Sequence, residues 1–144
     1  MMAKPDLNIE QMTMDAVLAL LSAKQNPPLS WPMIGQAARR LEALGYPKQH
    51  TGRQHWLEQL VAPIGIKRTA AWRYRAIAKD WPWLRRKLIK QAIDVPTLDQ
   101  LEPTVSAEQV EILIRVVRAT PPEIWKAVAE RVLHRAISLR EIRR

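Results

Sequence analysis

Ten basic side chains fall between residues 51 and 90: Arg53, Lys67, Arg68, Arg73, Arg75, Lys79, Arg85, Arg86, Lys87 and Lys90, opposed only by Glu58 and Asp80. The flanks are close to neutral. Residues 1–50 carry five Lys/Arg and four Asp/Glu, and residues 91–144 carry eight of each, so nearly all of the formal +9 comes from this one stretch. A positive field so concentrated draws polyanions, and nucleic acid is the commonest polyanion in a cytosol. Arginine adds discrimination, because one guanidinium can donate two parallel hydrogen bonds to O6 and N7 of guanine, worth roughly 1–3 kcal/mol against a wrong base. A solvated basic face without a partner is the plainer alternative.

Placing such residues on DNA needs a short helix, a tight turn and a second helix whose outer face enters the major groove. Residues 52–79 have this pattern. Leu57, Leu60 and Val61 supply an apolar side to the first helix, Gly65 can take positive φ at the turn, and Ile66 closes the corner. On a helical wheel Ala70, Ala71, Tyr74, Ile77 and Ala78 fall on one side of the second helix, the two alanines allowing a close crossing. The other side collects Arg68, Thr69, Trp72, Arg75, Ala76 and Lys79, with Arg73 at its border. Arg68, Thr69 and Arg73 are the expected base-reading residues. Arg53, Lys67, Arg75, Lys79, Arg85, Arg86 and Lys90 are the expected phosphate contacts. Trp72 is expected to pack beneath the Trp81-Pro82-Trp83 turn rather than stand at the nucleic acid.

The rest of the chain reads as helices around this unit. Residues 1–8 form a flexible end, and a first helix runs from about Ile9 or Thr13 to Lys24, stopped by Asn26-Pro27-Pro28. A second starts after Ser30, with Pro32 in its first turn, and ends at Gly45. Asp80-Trp81-Pro82 is expected to end the second helix of the basic unit and start a separate basic flanking helix at 82–92. Residues 94–105 read as a hinge-like connection and a subdomain boundary. Ser106-Ala-Glu-Gln109 and Thr120-Pro-Pro-Glu123 have capping-box spacing before helices at about 107–119 and 121–136, and Ser138 can cap a last short helix, 139–144. These C-terminal helices either complete the core or form a self-association face. No stretch alternates at period two and no hairpin signal appears, so the fold expected is all-α: a compact domain of about six or seven helices containing a helix-turn-helix.

Several classes are set aside. Without cysteine there is no disulfide, thiolate metal site or Cys nucleophile. No apolar run is long enough to span a bilayer, so a cytoplasmic location without membrane association is expected. No phosphate loop, nucleophile elbow or metal-ligand cluster appears, so neither an enzyme nor a cofactor is expected, nor a small-molecule substrate. His50 and His55 are five apart, not at zinc-ligand spacing. His134 reads as a surface or interface residue.

The segment GIKRTAAWRYRAIA, with Gly65, Ile66, Thr69, Ala70, Arg73 and Tyr74 in that order, resembles the recognition half of helix-turn-helix domains in ParB/KorB-type proteins and in regulators of bacterial plasmids and integrative elements. The likeness is sharp over about 57–79. A fainter likeness, Pro-Pro-Glu, an amphipathic helix and Ser-Leu-Arg-Glu, reaches the C-terminus. The resemblance implies sequence-specific binding of double-stranded DNA in the control of transcription, replication, partition or transfer of a mobile element. No Gly-x-Arg-Arg type nucleotide-binding segment is present, so CTP hydrolysis is not implied.

Two other functions compete with this one. A basic helical protein with six Trp could hold RNA, or any nucleic acid, by charge and stacking. A protein-protein adaptor could use the basic middle for solubility alone. A homodimer is expected from the apolar C-terminal helices and from the two-fold sites that helix-turn-helix proteins commonly read.

Overall fold

The computed structural model describes residues 8–24, 28–46, 56–101 and 104–133. Among them the chain is all-helical: α1 (Met14–Ser22), α2 (Trp31–Ala43), α3 (Trp56–Val61), α4 (Arg68–Ile89), α5 (Ala107–Ala119) and α6 (Pro122–Val132), with three single 3-10 turns and no strand. No described helix is long and apolar enough to cross a membrane.

Local signals set most helix ends. Thr13 caps α1, its hydroxyl accepting from the Ala16 N–H at 3.2 Å, and a 3-10 turn at Ile9–Gln11 precedes it. Ser30 occupies the N-cap position of α2 without a side-chain cap bond. At the other end Tyr46 N–H reaches the Leu41 carbonyl and Gly45 N–H the Glu42 carbonyl, with Gly45 at φ 90°. This is the Schellman closure. Ser106 caps α5 through the Gln109 N–H, as its spacing predicts. Thr120 does not cap α6. Its hydroxyl donates back to the Val116 carbonyl at 2.7 Å, ending α5, and Pro121 takes the N-cap position of α6.

The flanking helix predicted at 82–92 is not separate, because α4 runs unbroken for 22 residues through Pro82. An interior proline costs about 3 kcal/mol or more. Burial on the opposite side outweighs that: Trp81, Leu84 and Leu88 are buried, and each such side chain contributes roughly 1.5–3 kcal/mol.

Two apolar cores share α4. The first joins Ile9, Val17 and Leu21 to Ile34, Ala37 and Leu41 of α2, Leu57 and Val61 of α3, and Ala71. The second joins Ile77, Trp81, Leu84 and Leu88 to Val95, Leu98, Leu113, Val117, Trp125 and Leu133. One core therefore gives way to the other along α4 between Ala71 and Ile77. The described residues of the connection expected at 94–105 pack on the second core. Val95, Leu98, Leu101 and Val105 are buried, Trp81 Nε1 donates to the Pro96 carbonyl at 3.0 Å, and Trp31 Nε1 of α2 donates to the Val105 carbonyl at 2.8 Å. The cores are stitched where α2 crosses α4. A Cβ on Gly35 would lie 2.4 Å from the Tyr74 carbonyl oxygen, so glycine permits this approach.

The C-terminal helices complete the second core with most of their apolar residues. Ile112 and Ile124 remain exposed.

Candidate nucleic-acid interface

The unit around Gly65 is built from a short helix, a 3-10 turn and the long helix. Leu57 and Val61 are buried and Leu60 partly so. The chain leaves α3 through Ala62–Ile64 and reverses at Gly65, φ 84°. Ile66 packs on the first core, and Lys67 is the N-cap of α4. The predicted inner side of α4 is inward: Ala71, Ile77 and Ala78 are buried, with Ala70 and Tyr74 half-buried. Lys67, Arg68 and Thr69 are exposed at its start.

Arg68 is 70% exposed, with Nε 2.9 Å from Oε2 of Glu58 on α3, a carboxylate only 14% exposed. The same oxygen accepts from Trp72 Nε1 at 3.3 Å. Trp72 stands edge-on to Trp56 at 6.1 Å, and Trp56 edge-on to Tyr46 at 5.4 Å. Trp72 thus packs against the protein, but on Trp56 and Glu58 in the first core rather than beneath the Trp81-Pro82-Trp83 turn. Glu58 is the feature the sequence pattern did not reveal: its position on α3 has no periodic relation to Arg68, and only the turn brings them together.

The two arginines expected to read bases are divided. Arg73 is five residues and about 140° round the helix from Arg68. It faces α5, with Nε 3.5 Å from Glu111 and Nη1 3.9 Å from Glu108. Arg75, expected on phosphate, is turned to α2. Its Nε and Nη2 grip both oxygens of Glu42 at 2.8–3.1 Å, and Arg39 Nη1 donates to the same carboxylate at 2.7 Å. Burial alone would raise the Glu42 carboxyl, but the hydrogen bonds and charges of Arg75 and Arg39 outweigh it and hold the group below its ordinary value. Nε and Nη2 of Arg75 are thereby engaged in an internal clamp with Glu42. Arg85, also expected on phosphate, is half-buried and donates through Nε to the Val95 carbonyl at 3.0 Å.

Lys79, Arg86, Lys87 and Lys90 continue the exposed side of α4. They make no salt bridge among the described residues, nor does Lys67. Lys87 Nζ lies 6.0 Å above the Trp83 ring. Asp80 is paired with Arg118 of α5 at 3.0 Å, and that guanidinium stacks over Trp83 at 4.7 Å. The second carboxylate of the basic stretch is thereby neutralised from within. Arg53, Thr51, His50, His55, His134 and the helix expected at 139–144 lie outside the described residues.

None of the six tryptophans is exposed. Trp56, Trp81 and Trp125 are buried, and Trp31, Trp72 and Trp83 are half-buried with ring or hydrogen-bond partners. Compared with protein-family models, curated proteins and solved structures, the chain has no match.

Proposed function

We propose that this protein binds double-stranded DNA in a sequence-specific manner, with α3, the Gly65 turn and α4 acting as a helix-turn-helix. The observation that carries this reading is α4 itself. Its first turn projects Arg68 and Thr69 into solvent directly after a tight reversal, and one basic stripe continues along its outer side to Lys90. With Nε of Arg68 anchored on Glu58, the Nη1 and Nη2 fork is left to meet the O6 and N7 edge of guanine. Thr69 can touch a thymine methyl or a phosphate. Lys67, Lys79, Arg86 and Lys90 contact phosphates; Arg73 and Arg75 hold α4 to its neighbours.

The Gly65–Tyr74 resemblance extends the proposal to a role: a cytoplasmic regulator of transcription, replication, partition or transfer of a bacterial mobile element. Reading a two-fold site would call for a homodimer, for which Ile112 of α5 and Ile124 of α6 are exposed apolar residues, as is Ile89 of α4.

Selection of bound fragments from a random duplex pool, followed by binding to the selected and a scrambled duplex at equal salt, tests the reading. Wild-type protein should prefer the selected duplex, and Arg68→Ala should lose tenfold or more on it with little change on the scrambled one. Equal binding of both duplexes with one common salt dependence would make the protein a general polyanion binder.

A further inference from the structure

A second cationic surface lies in the cleft between α2 and α4. Gln36, Arg39 and Arg40 line one wall and Ala78 and Lys79 the other, with Glu10 also present, around a volume of about 340 Å³. Both guanidinium groups are fixed before any ligand arrives. Arg39 is held by Glu42 at 2.7 Å, and Arg40 Nε donates to the Met12 carbonyl at 3.0 Å. A guanidinium carries five N–H donors, so one anchor sets its orientation and leaves others to give. Arg39, Arg40 and Lys79 stand against Glu10 and the Glu42 carboxylate that anchors Arg39, so the cleft keeps an excess of positive charge. The Gln36 amide adds a neutral donor, and the close helix approach at neighbouring Gly35 holds the walls at a set spacing.

We propose that this cleft binds a phosphate group, and that in the DNA complex its occupant is a backbone phosphate of the strand beyond the groove entered by the start of α4. The identity of the occupant rests on the DNA reading; the phosphate chemistry does not. Oriented guanidinium forks match phosphate oxygens better than mobile ammonium groups do. Position agrees with the occupant: Lys79 is eleven residues past Arg68, roughly 16 Å along the axis, whereas the major groove is about 12 Å wide. A helix meeting base edges with its first turn carries this cleft to the flanking strand.

Gln36→Glu places a carboxylate in the cleft without removing either arginine anchor, and Lys79→Gln is a second variant at an exposed position. Lys126→Gln on α6 controls for net charge, and thermal melts monitored by circular dichroism establish that each variant is folded. Binding of the selected duplex is followed across a salt series. Each cleft variant should reduce the slope of log Kd against log salt by about 0.9, the value of one phosphate contact, and leave the preference for selected over scrambled duplex unchanged. A parallel arm titrates inorganic phosphate at constant ionic strength, reading the Gln36 side-chain amide by NMR. Unchanged slopes with a saturating Gln36 shift that Lys79→Gln abolishes would support the site with free phosphate as its occupant. Slope losses no larger than in Lys126→Gln, together with no saturating shift, overturn the proposal. If the wild-type protein binds no duplex, the DNA reading falls separately and the inorganic phosphate arm decides alone, saturation supporting the cleft and its absence overturning it.

Discussion

The two halves of α4 carry similar positive charge but hold it differently. In the first half Arg68, Arg73 and Arg75 each meet a carboxylate from another helix: Glu58 of α3, Glu111 of α5 and Glu42 of α2. In the second half Lys79, Arg86, Lys87 and Lys90 extend from the exposed side without salt bridges among the described residues. A held guanidinium has a direction, and direction is what discrimination between bases requires. A free ammonium is a mobile point charge, suited to phosphate attraction without sequence preference. On the proposed function the first half therefore supplies specificity and the second affinity, with the change of core between Ala71 and Ile77 close to the division.

The largest expected effect comes from the point that ties the halves together. Gly35→Ala drives a Cβ onto the Tyr74 carbonyl, a backbone atom that cannot step aside as a side-chain tip can. Overpacking costs about 1–3 kcal/mol and more where backbone must move, so a loss of about 3 kcal/mol in urea unfolding is expected. Because α4 belongs to both cores, amide exchange at Leu57 and at Leu113 should quicken together. Loss of protection in one core alone would show that α4 is not a shared spine.

Binding measurements separate the two halves of α4 most directly. Arg68→Ala should cost roughly 1–3 kcal/mol on a selected duplex and little on a scrambled one. Arg86→Ala with Lys90→Ala should weaken both duplexes alike and reduce the salt slope by nearly two units, at about 0.9 per phosphate contact. The reverse pattern, specificity lost from the far end and salt dependence from the near end, would invert the assignment of the halves.

Much of this arrangement was legible in the residues, and the part that was not has a physical reason. Apolar periodicity placed Ala71, Tyr74, Ile77 and Ala78 on one side of a helix, and Gly65 marked the reversal before it, because both signals are local. Pro82 misled for the same reason. Its local cost is real, but it is outweighed by burial of Trp81, Leu84 and Leu88, which depends on distant α5 and α6. The site was half legible. Exposure of Arg68 and Thr69 followed from the wheel, whereas the capture of Arg75 by Glu42 is a contact between residues 33 apart that no spacing announces. Arg73, expected to read bases from the border of the outer side, meets Glu111 and Glu108, carboxylates that come from α5.

The internal clamp predicts a pH effect of intermediate size. The folded Glu42 carboxyl titrates below its unfolded value, because the hydrogen bonds and charges of Arg75 and Arg39 outweigh the effect of burial. Its contribution is therefore fully present above the unfolded value and is lost as pH falls through the lower, folded one. Replacing it by Glu42→Gln keeps an acceptor but removes the charge, at an expected cost of about 1.5–2 kcal/mol near neutral pH, at the low end of the range for hydrogen bonds to charged groups. Chemical unfolding at neutral and at acid pH should show the gap between wild type and Glu42→Gln closing on acidification. Glu42→Gln should also free Arg75, making the first half of α4 resemble the second: binding to scrambled DNA should rise while preference for the selected duplex falls. A gap that stays constant with pH would show that the carboxylate charge does not stabilise the fold.

The smallest expected effect lies at the far end of α4. Ile93 N–H reaches the Leu88 carbonyl at 3.0 Å and Ala92 N–H the Ile89 carbonyl at 3.0 Å, the same closure that ends α2 at Gly45, but here the left-handed position is an alanine at φ 62°. A Cβ in that conformation costs roughly 1–2 kcal/mol, and part of any gain from removing it is returned as the greater unfolded-state entropy of glycine. Ala92→Gly should therefore raise stability by about 0.5–1 kcal/mol, seen as a later urea midpoint with an unchanged denaturant slope. Ala92 is exposed and bears no charge, so affinity for both duplexes should stay the same. If affinity rises with stability, fraying at this end was limiting the phosphate contacts of Arg86 and Lys90, and the second half of α4 needs order as much as the first.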